Sequence, residues 1–224
     1  PSVTGLVDIA DWDQRAEALG GTSNALVAGI AARLGKYRGR CDADGIITLN
    51  FPVSDRGKGD TRANALSAVT VTVDPDEAIT TLAKVRADIK ASLVGLGADQ
   101  HELFATLALA PFMPKRLVRR LEGMALGAGS PVGCTNMGDV NPILLRLDGT
   151  EASMFFARSP IEWPITPDVL DKMGGSLVVG SARVGGHVVL AVSGWQVGGR
   201  NTEQQLADDL LQALADFNLA GTWF

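Results

Sequence analysis

Residues that usually carry metal sites, redox chemistry or nucleophilic catalysis are scarce in this sequence. Cys41 and Cys134 are the two cysteines and stand far apart, so they form neither a CxxC redox pair nor a thiolate zinc site. A serine hydrolase needs a GxSxG elbow and an activating histidine, but no GxSxG occurs, and neither His101 nor His187 lies in a motif. We therefore expect both cysteines to be reduced and buried, and we assign neither histidine a catalytic role.

An excess of positive charge and long hydrophobic runs are also absent. The 20 Lys and Arg residues stand against 25 Asp and Glu residues, which gives a net charge of -5, whereas a general nucleic-acid binder needs clustered positive charge. Apolar stretches such as ALVAGIAA and LFATLALAPFM are far shorter than the roughly 20 residues that span a bilayer. The hydrophobic content of 46% can bury a core. We expect one soluble, cytoplasmic domain over residues 1–224, with small or apolar partners and no nucleic acid.

The first part of the chain carries helix signals and then strand signals. Asp11 and Gln14 predict a capping pair that opens a short helix ending near Gly20. Thr22 predicts the cap of a longer helix, SNALVAGIAARLGKY. The next segment, GIITLNFPVSDRGKGDTRANALSAVTVTVDPDE, contains two β-rich runs around a polar, Gly-rich loop. We therefore expect two strands joined by a functional loop.

The rest of the chain predicts further helices and strands. Asp74 is the expected N-cap of a helix in which Ile79, Leu82, Val85, Ile89 and Leu93 recur at helical spacing. Further helical segments are expected around ELFATLALA and KRLVRRLEGM, strands at PVGCTN, ASMFFAR, SLVVGSAR and HVVLAVSGW, and a last helix with a capping box in Thr202 and Gln205.

This order of helices, strands, helices, strands and a final helix predicts the fold class. Segregated helices and strands favour an α+β fold over regular βαβ alternation. We expect a two-layer lobe in which helices cover one side of a mixed β-sheet.

The loop PVSDRGKGDTRAN is the first candidate site. Arg56, Lys58 and Arg62 can contact anionic groups, and the glycines allow the backbone to approach a ligand. The alternative interpretation is a solvated hairpin loop without a ligand. Both interpretations stand on the sequence alone.

Two further segments have a functional and a structural interpretation. The segment MPKRLVRRLEG places Lys115, Arg116, Arg119 and Arg120 on a helix that could bind phosphates or anionic lipid heads, or could be ordinary surface. The segment CTNMGDV offers one carboxylate and no histidine, which is too few ligands for calcium or zinc. A turn with an asparagine directed at the backbone is the expected structure there.

Several segments, taken in order, resemble a known family. They are ALGGTSNALVAGIAARLGKY, ITLNFPVSDRG, RANALSAVTVTVDPDEAITTLAKVRADIKASL, PVGCTNMGDVNP and VVLAVSGWQVGGRNTEQQLADDLLQALADF. Together they resemble the C-terminal half of the wax ester synthase/diacylglycerol acyltransferase family, which belongs to the CoA-dependent acyltransferase superfamily with the nonribosomal peptide condensation domains. PVSDR is similar to the PVSxR loop of that family. The resemblance implies a chloramphenicol-acetyltransferase-like half.

The sequence also departs from the family pattern. The Asn-Asp pair of the family appears here as Asn24 followed by Ala25, and the Ser-Asn-Val-Pro-Gly-Pro loop appears as residues 135–140, closer to an Asn-x-Gly loop. The HHxxxDG motif that supplies the catalytic base is absent. Because the superfamily carries that motif in the N-terminal half, its absence fits a truncated or split chain. A start at PSVTG without Met fits either a fragment or Met removal ahead of proline.

The resemblance implies a function and a set of contacts. The complete enzyme would move an acyl group from acyl-CoA to an alcohol or diacylglycerol, with no cofactor beyond this substrate and no catalytic residue in this chain. Expected partners are a missing N-terminal lobe, a hydrophobic acceptor, a membrane or lipid-droplet surface, and a second copy of the chain. The alternatives are a condensation-like or polyketide-associated acyltransferase that uses a carrier protein, and a noncatalytic binding domain of the same fold. The residues implied in substrate or CoA binding are Asn24, Ser54, Arg56, Asn64, Arg116, Arg119, Asn136 and Gly138.

Overall fold

A computed structural model describes residues 1–57, 59–62, 65–107, 114, 131–146, 149–150 and 165–224. Its strands are β1 (Ser2–Asp8), β2 (Ile47–Ser54), β3 (Leu66–Val73), β4 (Val132–Asp139), β5 (Ser176–Val184), β6 (His187–Trp195) and β7 (Gly221–Trp223). Its α-helices are α1 (Ile9–Ala18), α2 (Ser23–Tyr37), α3 (Ala83–Leu107), α4 (Pro167–Lys172) and α5 (Glu203–Asp216), and a 3-10 helix spans Pro142–Leu145.

The described strands form one mixed seven-stranded sheet in the order β3-β2-β4-β5-β6-β1-β7. β4 lies in parallel between β2 and β5, and the other neighbouring pairs are antiparallel. The carboxyl ends of β2, β4 and β5 therefore meet at one edge of the sheet. The predicted α+β class with a mixed sheet is confirmed.

The main core lies between one face of this sheet and the helices. It joins strand residues of one parity, such as Leu49 in β2 and Val179 in β5, to the buried sides of α1, α2, α3 and α5. A smaller cluster around Ala182 and Val189 lies on the opposite face and includes Leu145 from the 3-10 helix. The helix-covered face thus carries the larger core, as a two-layer lobe requires.

Helix α2 is the most deeply buried helix of this core among those whose burial is described. Residues 25–32 are all buried, and the helix packs on β2 and β4 as well as on α3 and α5. Small residues allow this close packing: a Cβ on Gly29 would come within 2.8 Å of the Phe217 ring, and one on Gly35 would meet Ile47 at 3.0 Å. Thr22 caps the helix as predicted, since its hydroxyl accepts from the Ala25 N–H at 3.3 Å.

The N-terminal prediction is partly wrong. The chain begins with β1, which pairs with β6 and β7, and the first helix is capped by Asp8 rather than by Asp11. The Asp8 carboxylate accepts from the N–H groups of Ala10 and Asp11. Asp8 is the N-cap because it ends β1 in an extended backbone conformation, which an N-cap requires. Asp11 lies inside the first turn and has a helical backbone instead.

The predicted start of the third helix also needs correction. The Asp74 carboxylate accepts from Asp76 N–H at 2.8 Å, but it caps a series of turns, and α3 begins only at Ala83. The Leu82 N–H donates to the Leu19 carbonyl at 2.8 Å, which ties the start of α3 to the end of α1. A tertiary contact therefore decides where this helix begins.

The last helix matches its prediction more closely. Thr202 caps α5 by accepting from the Gln205 N–H at 3.2 Å. The reciprocal half of the capping box is not formed, because Gln205 Oε1 is buried and makes no hydrogen bond within the described part of the chain. The predicted strands at PVGCTN, SLVVGSAR and HVVLAVSGW are present in β4, β5 and β6. The predicted strand ASMFFAR and the predicted helix KRLVRRLEGM lie outside the described residues.

The packing of α2 generates a prediction about two helical glycines. We expect Gly29→Ala to lower the free energy of unfolding by about 1–3 kcal/mol, because the new Cβ overpacks against Phe217 and Leu82. Gly95 lies inside α3, and a Cβ added there would have no atom of a described packing neighbour within 4 Å. Gly95→Ala should therefore raise stability by roughly 0.5–1 kcal/mol through helix propensity. Urea unfolding of both variants tests this, and equal effects of the two substitutions would contradict it.

Candidate functional site

The segment CTNMGDV lies in β4 and reaches the sheet edge where β2, β4 and β5 end. Most of it is strand and not turn. The expectation that its asparagine is directed at the backbone is confirmed, because Asn136 Oδ1 accepts from the Gly138 N–H. The register of this segment with β5 shifts between Asn136 and Asp139. Gly138 allows this irregularity because its φ is +65°, a region that glycine enters without a steric penalty. The result is a β4 end that bends beside the first turn of α2.

Asn136 joins this strand end to α2. Its side-chain Nδ2 donates to Asn24 Oδ1 at 2.5 Å, and its Oδ1 accepts from the Gly138 N–H at 2.9 Å. Three of the predicted site residues, Asn24, Asn136 and Gly138, therefore lie together. Asn24 is exposed and Asn136 is half-buried, so the amide pair is accessible from solvent.

The start of α2 is held firmly, and this fixes the position of Asn24. The Trp12 indole Nε1 donates to Ser23 Oγ at 3.0 Å, and the Trp12 side chain is fully buried in the main core. Gly21 packs against Leu82, where an added Cβ would approach within 2.7 Å. The α1–α2 connection and the start of α3 are thus fastened together beneath the first turn of α2.

An open groove of about 350 Å³ lies between the first turn of α2 and the exposed side of α3. Its lining is apolar at Ile89, Leu93 and Val94 and polar at Thr22 and Asn24, and it includes the cations Arg86 and Lys90. Val94 is 73% exposed and Leu93 is 42% exposed. An apolar wall, an amide and two positive charges suit an elongated ligand with an apolar part and an anionic part.

The two groove cations were not among the predicted site residues. The apolar residues of this segment recur at helical spacing, which predicts how α3 packs but does not predict which polar residues line a groove. The missed signal is the i, i+4 pair of Arg86 and Lys90 interleaved with Ile89 and Leu93, which places two cations beside two apolar residues on neighbouring helix turns.

The PVSDR motif was predicted as a loop, but its first three residues are the last residues of β2, because they continue its pairing with β3. The loop begins at Asp55, at the same sheet edge as the end of β4, since β2 and β4 run in parallel. Ser54 ends the strand, and its exposed hydroxyl accepts from the Arg56 N–H at 3.4 Å. The exposed Arg56 guanidinium makes no ion pair within the described ranges. The exposed Arg62 guanidinium pairs with the Asp60 carboxylate at 2.6 Å, and its predicted contact with an anionic ligand stays a prediction.

Other predicted site residues cannot be placed. Lys58, Asn64 and the basic segment 115–120, which includes Arg116 and Arg119, lie outside the described residues. Their assignment to substrate or CoA binding stays a prediction.

A charged pair strengthens the sheet edge next to β4. Arg183 in β5 donates from Nη1 and Nη2 to the two carboxylate oxygens of Asp13, at 2.8 and 2.6 Å. Its Nε lies 3.4 Å from the carboxylate of Asp139, the last residue of β4. The hydrogen bonds from Arg183 hold the pKa of Asp13 below its usual value. Arg183 therefore connects α1, β4 and β5.

The two cysteines differ in their surroundings. Cys134 is 1% exposed, and burial raises the pKa of its thiol to about 12, so it fits the expectation of a buried, unreactive cysteine. Cys41 is only half-buried, which departs from that expectation. Among the described residues, no cluster of three His, Cys, Asp or Glu side chains could hold a metal ion. No described helix has the length and apolar character needed to cross a membrane.

Solved structures share this fold, whereas no protein-family model and no curated protein matches the sequence. A nonribosomal peptide synthetase, FmoA3 with AMPPNP bound, matches at 19% identity and a TM-score of 0.57 over 97% of this chain and 22% of its own length. The epimerization domain from the third module of tyrocidine synthetase B matches at 13% identity and a TM-score of 0.55, and PapA2 acyl transferase at 11% and 0.51. Both match 97% of this chain.

This chain spans less than half the length of each of these proteins, with 48% of the epimerization domain and 45% of PapA2 matched. At such low identity the likeness establishes the fold: half of the fold shared by condensation-type and acyl transferase domains. The neighbours show the fold alone and give no support to the wax ester synthase family in particular.

The Arg183 pair generates a pH prediction. Because the folded-state pKa of Asp13 is lowered, the pair stabilises the fold above the ordinary Asp pKa of about 3.9 and loses its contribution as the pH falls through the lower, folded-state pKa. We expect Asp13→Asn to lower the free energy of unfolding by roughly 0.5 kcal/mol at pH 7. The difference from the unmodified chain should shrink below about pH 4. Urea unfolding at pH 7 and pH 3 measures this, with the exposed Glu17→Gln on the same helix as control.

Proposed function

We propose that this chain is the C-terminal lobe of a two-lobe acyltransferase and that its groove holds an acyl thioester. The observation that carries the proposal is the groove of about 350 Å³ between α2 and α3, which combines an apolar wall with cations and an amide. The fold of half an acyl transferase or condensation-type domain supports it. The resemblance of PVSDR to the PVSxR loop adds a link to acyl-CoA.

Each part of the groove suits a different part of an acyl-CoA molecule. Leu93 and Val94 offer apolar surface to the acyl chain or to the pantetheine arm. Arg86 and Lys90 in the groove, and the exposed Arg56 in the loop after β2, offer positive charge to the CoA phosphates. Asn24 offers an amide to a carbonyl group of the acyl-CoA ligand.

The reaction that we propose is transfer of the acyl group to the hydroxyl of a long-chain alcohol or a diacylglycerol. A base in a partner lobe takes the hydroxyl proton as the oxygen attacks the thioester carbonyl. The tetrahedral oxyanion then collapses, the carbon–sulfur bond breaks, and the CoA thiolate leaves and takes up the proton. In this scheme the described residues bind and orient the thioester, and the base lies outside this chain.

Exposed apolar residues on several elements of the lobe support the proposal of a partner lobe. Leu93 and Val94 on α3, Met137 in β4, and Ile143 and Leu144 in the 3-10 helix are all more than 40% exposed. Clusters of exposed apolar residues often mark interaction sites. The epimerization domain and PapA2 are each about twice as long as this chain, so a second lobe of similar size is the partner that we propose, with dimerisation as the alternative in its absence.

A carrier-dependent, condensation-like reaction is the second candidate. Structures with this fold come from nonribosomal peptide synthetases as well as from an acyl transferase. Both donors present a phosphopantetheine arm, so the groove suits either. Competition between octanoyl-CoA and octanoyl-loaded carrier protein separates the two candidates.

The first prediction of this proposal concerns the groove cations. Replacing Arg86 and Lys90 by Ala should weaken octanoyl-CoA binding by about tenfold at low salt, and the loss should shrink at high salt as the phosphate contacts are screened. Lys84→Ala is the matched control, because Lys84 lies on the same helix but pairs with Asp88 at 2.6 Å. Calorimetric titration measures both variants. An unchanged dissociation constant for the double variant would remove the CoA assignment of the groove.

The second prediction concerns Arg56. In the complete two-lobe enzyme, Arg56→Ala should raise KM for acyl-CoA and leave kcat nearly unchanged, because phosphate contacts far from the thioester are equal in the ground and transition states. Steady-state kinetics at two salt concentrations measures this. A fall in kcat at constant KM would show that Arg56 acts on the chemical step instead.

The third prediction concerns the isolated chain. It should not transfer acyl groups, because the proposed base lies in the partner lobe. The assay follows thiol release from octanoyl-CoA in the presence of a long-chain alcohol. Turnover that survives replacement of both His101 and His187 would contradict the location of the base.

A further inference from the structure

The orientation of the Asn136 amide is determined by a backbone group. The Gly138 N–H can only donate, and the Asn136 atom that it contacts, at 2.9 Å, is Oδ1. The Asn136 Nδ2 must therefore point the other way, towards Asn24. Its amide cannot be reversed without placing two donors against each other.

The orientation of Asn136 in turn determines that of Asn24. Because Asn136 Nδ2 donates to Asn24 Oδ1, the Asn24 amide turns its oxygen towards Asn136 and its Nδ2 away from it. The Asn24 Nδ2 makes no hydrogen bond to the described residues, and Asn24 lines the groove between α2 and α3. The polar end of the groove therefore presents the donor Asn24 Nδ2. The Gly138 N–H determines this orientation through the Asn136 amide.

We propose that Asn24 Nδ2 donates to the thioester carbonyl oxygen of the ligand and that Asn136 is the positioning residue that selects this polarity. This inference rests on the proposed function, because it names the ligand atom that the groove recognises. A carbonyl oxygen only accepts hydrogen bonds, so it matches a fixed donor and is mismatched with a fixed acceptor. Negative charge that develops on this oxygen during attack strengthens the same contact.

A single substitution inverts the proposed polarity. In Asn136→Asp the carboxylate still accepts from the Gly138 N–H, but it has no donor for Asn24 Oδ1. The Asn24 amide then turns to donate its Nδ2 to the new carboxylate and presents Oδ1 to the groove. The variant keeps the side-chain shape and changes the recognised group from an acceptor to a donor.

The test compares two probes that differ at the thioester carbonyl. Octanoyl-CoA carries this oxygen, and S-octyl-CoA, a thioether, lacks it. We expect the chain to bind octanoyl-CoA about 3- to 10-fold more tightly than S-octyl-CoA, the range of a typical single hydrogen bond. The preference should disappear in Asn24→Ala and should disappear or reverse in Asn136→Asp.

Controls separate this inference from a loss of folding and from the proposed function. Gln204→Ala removes an exposed amide from the first turn of α5 and should leave the preference intact. Circular dichroism checks folding, and if Asn136→Asp is unfolded, Asn24→Ala at an exposed position decides the test. Equal binding of both probes by the unmodified chain, or a preference that survives Asn24→Ala, overturns the inference and leaves the groove as an acyl-CoA site. Binding of neither probe overturns the proposed function as well.

Discussion

The close burial of α2 against the sheet is the constraint on which the candidate site depends. Its small residues let the helix lie directly on β2 and β4, while Phe217 and Leu82 press on its outer side at Gly29. Because α2 runs from the carboxyl edge of the sheet towards the amino edge, its first turn is carried to the end of β4. Asn24 reaches Asn136 for this reason and not through any local sequence signal.

Local chemistry predicted some elements of this fold, and tertiary contacts decided the others. Thr22 and Thr202 were predictable as caps because each hydroxyl accepts a hydrogen bond from an N–H in the first turn of the helix that directly follows it. The prediction from Asp74 was wrong because the same side-chain hydrogen bond also caps turns. The start of α3 depends instead on a hydrogen bond from the Leu82 N–H to the carbonyl of Leu19, which is distant in sequence. The α+β class was predictable from the order of elements, whereas the groove was not, since it forms between α2 and α3.

Charge pairing reduces the number of basic residues that are available to a ligand. Arg33 pairs with Asp76 and Asp216, Arg38 with Asp209, Arg62 with Asp60 and Arg183 with Asp13. A count of basic residues in the sequence cannot distinguish these from cations such as Arg86 and Lys90, which line the groove. The net charge of the chain is -5, yet the structure places two cations together beside an apolar surface in the groove.

The burial of Cys134 makes the alkylation rate of its thiol a measure of how often the core of the protein opens. The thiol lies in β4, between β2 and β5, and its raised pKa keeps it protonated at neutral pH. An alkylating reagent can reach it only when the centre of the sheet separates from α2, whereas the half-buried Cys41 is reached by smaller motions. The two alkylation rates therefore compare global with local opening in a single chain, without any added label.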